Sequence, residues 1–127
     1  MRNGLYGVAL IGALSVFCMS PAAVADEAAI RTHCQDEWPS DSEMREHCST
    51  EQRKALRGLG RFSGEIRERC AREWGTDYEM VLHCVEERST AKQNVEQNYS
   101  GPKRQACERE WGTEYEMVEH CIEENGE

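Results

Sequence analysis

The sequence predicts an all-α protein of three disulfide-clamped helix-turn-helix hairpin repeats in tandem. First, a fifteen-residue unit recurs: CQDEWPSDSEMREHC at 34–48, CAREWGTDYEMVLHC at 70–84 and CEREWGTEYEMVEHC at 107–121. Second, six of the seven cysteines stand at the ends of those units. Third, each unit holds a helix stop followed directly by a helix start. The copies begin 36 and 37 residues apart, a step that suits a two-helix repeat.

Residues 1–25 read as a removable export signal. Arg2 is the lone charge, an apolar run from Leu5 to Met19 follows, Pro21 breaks it, and Ala23-Val24-Ala25 offers small residues to a peptidase. The run is too short to favour a membrane span, so the chain after cleavage is expected to have none. Phe17 before Cys18 is too bulky for lipid attachment there. Cleavage after Ala25 leaves 102 residues and, with Arg2 gone, moves the net charge from −9 to −10. A chain so acidic repels nucleic acid.

The first hairpin, 26–50, is degenerate. Ile30, Cys34 and Trp38 recur at helical spacing and Pro39 ends the helix. Ser40…Glu43 then fits a capping box. Arg45 and Ser49 stand where the later copies have aliphatics, so this copy is expected to be the least stable or to lean on its neighbours. A polar stretch, 51–63, follows as a linker with some helix to Leu56. The second hairpin, 64–89, repeats the pattern with Ile66, Cys70 and Trp74, then Gly75 as a left-handed cap. Thr76…Glu79 forms its box, and Met80, Val81, Cys84 and Val85 its second apolar stripe. Residues 90–101 read as another linker. The third hairpin, 102–124, starts at Pro102, a favoured first-turn residue, and repeats Gly112, Thr113…Glu116, then Met117, Val118, Cys121 and Ile122. Residues 125–127 are expected to fray.

Removing Cys18 with the leader leaves an even six, which in an exported chain reads as a disulfide framework. Duplication gives each copy its own partner: Cys34–Cys48, Cys70–Cys84 and Cys107–Cys121. Each closed loop stabilises by about 3 kcal/mol on chain-entropy grounds, large beside the core that three Trp and a thin set of aliphatics can build. The first cysteine lies about 6 Å before the turn and the second about 12 Å after it. Bridged Cα atoms stand about 5.5–6 Å apart, so the two helices must cross or be staggered.

Candidate chemistry is sparse. His47, His83 and His120 directly precede a repeat cysteine. Free thiols beside them would suit zinc, but oxidation and the wide cysteine spacing argue against such a site. Met44, Met80 and Met117 lie three residues before those histidines, and Glu43, Glu79 and Glu116 four before. This face could hold copper or zinc after oxidation, which is the competing functional reading. No C-x-x-C-H, C-x-x-C or G-x-S-x-G stretch occurs, so neither a cofactor nor an enzyme is called for. Trp74 with Tyr78, and Trp111 with Tyr115, flank the turns of copies two and three. Trp is expected to cap the core, and the rigid rings of Trp74, Tyr78, Trp111 and Tyr115 are candidates to anchor a partner.

The stretches EWGTDYEMVLHCV (Glu73 to Val85) and EWGTEYEMVEHCI (Glu110 to Ile122), with a poorer copy from Glu37 to Cys48, together cover about a third of the chain. They resemble a short motif of small exported proteobacterial proteins. The resemblance implies a periplasmic or secreted home and carries no catalytic or binding residue. The function expected is therefore that of a rigid interaction module, not an enzyme, with another envelope or extracellular protein as its partner.

Overall fold

The computed structural model describes residues 18–125, so most of the expected leader lies outside the described residues. Six helices follow in order: α1 (Pro21–Glu37), α2 (Ser42–Leu59), α3 (Glu65–Trp74), α4 (Tyr78–Asn98), α5 (Gly101–Trp111) and α6 (Tyr115–Glu124). No strand occurs among the described residues. Disulfides join Cys34 to Cys48, Cys70 to Cys84 and Cys107 to Cys121, with Cα–Cα separations of 5.7, 5.8 and 5.8 Å. Each bridge therefore clamps α1 to α2, α3 to α4, or α5 to α6.

Local chemistry explains the corners. Gly75 and Gly112 close α3 and α5 at φ 58° and 59°, a region costly for residues with a Cβ. Copy one has Pro39 instead and closes α1 differently. The Arg45 guanidinium donates to the carbonyls of Trp38 and Pro39, both at 2.9 Å. Arg45 stands where the other copies have valine, and its long side chain ties the turn that glycine closes in those copies.

The helix starts fall one residue later than the capping boxes imply. Asp41 accepts from the Met44 N–H at 3.0 Å, and Asp77 from the Met80 N–H at 3.2 Å. A carboxylate is the stronger acceptor and places negative charge at the positive helix end, so Asp displaces Ser40 and Thr76 from the capping role. Glu114 is one methylene longer and makes no cap hydrogen bond. It accepts from Arg69 on α3 at 3.2 Å, and Arg69 also donates to the Thr113 hydroxyl at 3.2 Å.

The stretches expected as linkers are mostly helix. α2 continues to Leu59 and α4 to Asn98, because each extension carries an apolar seam beyond its cysteine. On α2 the buried positions are Cys48, Gln52, Ala55 and Leu59; on α4, Cys84, Ala91 and Val95 are buried, with Arg88 filling the position matching Gln52. This 4-3-4 spacing keeps one face on the next hairpin. α2 packs on α4 and α4 on α6, forming a spine with α1, α3 and α5 stapled to it.

Three small cores result, one around each bridge. The first gathers Ile30, Cys34 and Cys48 under Trp38, Leu56 and Tyr78. The second gathers Cys70, Val81, Cys84 and Val85 and takes Leu59 from α2. The third gathers Cys107, Val118, Cys121 and Ile122 and takes Val95 from α4. α2 and α4 thus each supply a side chain to the core that follows.

Candidate functional site

Tyr78 and Tyr115 open α4 and α6 because the preceding Asp77 or Glu114 ends a turn against the neighbouring hairpin. Tyr78 packs against both the first and the second core, and its hydroxyl donates to Asp26 on α1 at 2.9 Å. Burial, then the hydrogen bond to the Asp26 carboxylate, push its pKa up to about 12. Beside it the Tyr78 backbone N–H donates to Gln52 Oε1 at 2.7 Å, while Gln52 Nε2 donates to Asp77 at 3.1 Å and Glu79 at 3.3 Å. One fully buried amide thus satisfies the start of the next hairpin's helix. Copy one has Ser42 at the tyrosine position, and no earlier hairpin lies against it among the described residues.

Tyr115 and Trp111 are also engaged internally. Both pack on the third core, and Lys92 on α4 lies 5.8 Å over the Tyr115 ring. The expectation that the Trp residues cap their cores holds for Trp38 and Trp111. Trp74 departs from it, being 43% exposed. Of the four aromatics first considered for partner contact, Trp74 is the one that solvent reaches broadly.

The histidines of the repeated face point to solvent. His47 is exposed; His83 and His120 are exposed and pair with the glutamate four residues later, Glu87 at 3.3 Å and Glu124 at 3.2 Å. Met44, Met80 and Met117 are half-buried. Among the described residues, a group of three close His, Cys, Asp or Glu ligand atoms occurs at His33, Glu37 and Cys48.

The surface is instead marked by charge in grooves between spine helices. Between α4 and α6 a groove of about 810 Å³ is lined by Glu86 and Glu87 from one side and Glu116 and Glu119 from the other, with His83 at its edge. Arg88, with a side chain 13% exposed, lies next to it and binds Glu73 at 2.8 Å and Glu116 at 3.9 Å. Its guanidinium also approaches Cys70 Sγ at 3.8 Å.

Sequence reading overlooked Gln52, Arg88, Arg69 and His33. A signal for the first two was available: each lies four residues after a second repeat cysteine, in register with the buried stripe. His33 was equally visible, since all four histidines directly precede a cysteine. Comparison with protein-family models, curated proteins and solved structures finds no match for this chain.

Proposed function

We propose that the chain is an exported protein-binding module, in which the α4–α6 groove takes a basic segment of another envelope or extracellular protein. The observation that carries this is the groove itself, lined by four glutamates from two hairpins, of which Glu86 also pairs with Arg61 at 3.1 Å and Glu87 with His83 at 3.3 Å. The net charge of −9 reinforces attraction of a cationic partner. The bridges on α4 and α6 make the walls stiff, so little ordering cost accompanies binding. Disulfides of this number belong to an oxidising compartment, and periplasmic or secreted placement extends that reading. No described helix is long and apolar enough to cross a membrane.

Cleavage after Ala25 would fall within α1 and remove its first residues, Pro21 to Ala25, of which Ala23 is half-buried, while keeping Asp26 and Glu27. Those two hold Tyr78 and Arg53 on neighbouring helices. The test is affinity capture from the envelope fraction with the wild-type protein and with a Glu86/Glu87/Glu116/Glu119→Gln variant. A companion captured by the wild type and lost by the variant is expected. A companion retained by both, or no reproducible companion, contradicts the proposal.

A further inference from the structure

The first bridge differs from the other two in what surrounds it. His33 Nε2 lies 3.6 Å from Glu37 Oε2, and Glu37 Oε2 lies 3.7 Å from Cys48 Sγ. All three ligand atoms fall within 4.8 Å of one another, and Cys34 is bonded to Cys48. A tetrahedral zinc ion with bonds of about 2.0–2.3 Å holds its ligands about 3.3–3.8 Å apart. The two measured edges already have that length. In the second and third copies the residue before the first cysteine is Arg69 or Ala106, and Glu73 is taken by Arg88. The ligand set is therefore a property of hairpin one.

A second observation concerns access. Cys34, itself 1% exposed, is among the residues lining an open cavity of about 320 Å³ with Arg31, Arg45, Glu46, Ser49 and Arg53. Arg45 there donates to two turn carbonyls and Arg53 is paired with Glu27, so the pull on an incoming thiolate comes chiefly from Arg31.

From these we propose that hairpin one is a reduction-gated zinc site, in which His33, Cys34, Glu37 and Cys48 bind a divalent soft metal once the Cys34–Cys48 bridge is opened by a dithiol reductant. A thiolate of the dithiol attacks Cys34 Sγ, forming a mixed disulfide, and the electron pair of the broken S–S bond leaves on Cys48 Sγ. The reductant's second thiol then attacks its own sulfur in the mixed disulfide and releases Cys34. Two electrons and two protons pass to the protein, and the dithiol becomes a disulfide. Zinc binding then displaces the two thiol protons to solvent. The metal replaces the covalent clamp in the hairpin with the poorest apolar core, so this corner stays closed in either redox state.

The test reduces the purified protein with excess dithiol under inert gas, removes the dithiol by gel filtration, and titrates with Co²⁺ followed by Zn²⁺. One Co²⁺ per reduced chain with a tetrahedral thiolate spectrum is expected, displaced by Zn²⁺, and none in the oxidised protein. His33→Ala and Glu37→Gln should each weaken uptake by more than about tenfold, since even outer-shell changes reach that size, while the oxidised variants keep wild-type helix content. No thiolate spectrum, three ions per chain, or unaltered uptake in both variants overturns the proposal. Alkylation mapping of the wild type decides the case if a variant fails to fold. Zn²⁺ should protect Cys34 and Cys48 alone, and uniform labelling of all six cysteines contradicts the site.

Discussion

At the scale of single residues, junctions between hairpins rest on a few polar side chains held against apolar ones. Tyr78 is the clearest. Its hydroxyl must remain protonated to donate to Asp26, and burial opposes its ionisation. With a folded pKa raised to about 12 above an ordinary value near 10, the bond's contribution is complete below pH about 10 and is lost as pH rises through about 12. Ultraviolet titration should show Tyr78 ionising late, a component that Tyr78→Phe removes, while Tyr99, raised by its hydrogen bond to Glu123, stays above the ordinary value in that variant. Gln52 offers a second check. Truncation by Gln52→Ala leaves the Tyr78 N–H without its acceptor and should cost about 1–3 kcal/mol in denaturant unfolding; a cost near zero would show that the amide is not a pin. These roles were hidden in the sequence, because a glutamine in a polar stretch carries no sign of the backbone group it will meet.

At the scale of elements, the spine helices do more than link. Leu59 and Val95 stand eleven residues past a bridge cysteine, yet each is buried in the following hairpin's core. Leu59→Ala should therefore cost about 2–5 kcal/mol, and hydrogen exchange should report the loss of protection in α3 and α4 more than in α1. The reverse pattern would mean that α2 belongs to its own hairpin alone. Hairpin existence, turn positions and cysteine partners were legible, since repetition exposes them three times over. Helix to Leu56 was legible too, but not that 51–59 and 90–98 form packed spine, because polar residues dominate those stretches and the buried positions are spaced 4-3-4 among them. The shift of the caps to Asp41 and Asp77 was missed for a different reason: the S/T-x-x-E pattern and the Asp cap overlap by one residue. The exposed Trp74 was likewise unreadable, since its neighbours in sequence match those of the half-buried Trp111.

At the scale of the whole molecule, three cores of a handful of residues each are too small to stand without covalent help. Removing one bridge by Cys70→Ser with Cys84→Ser should cost about 2–5 kcal/mol. The central hairpin touches both others through α4, so thermal unfolding of this variant should drop further than for either terminal pair. Equal drops for all three would place the hairpins on independent footings. The account as a whole rests on each hairpin being closed by its own sulfur bridge. Peptide mapping without reduction, performed on the purified protein, tests this most directly: it should recover the pairs 34–48, 70–84 and 107–121, whereas free thiols throughout or pairs crossing between hairpins would contradict it.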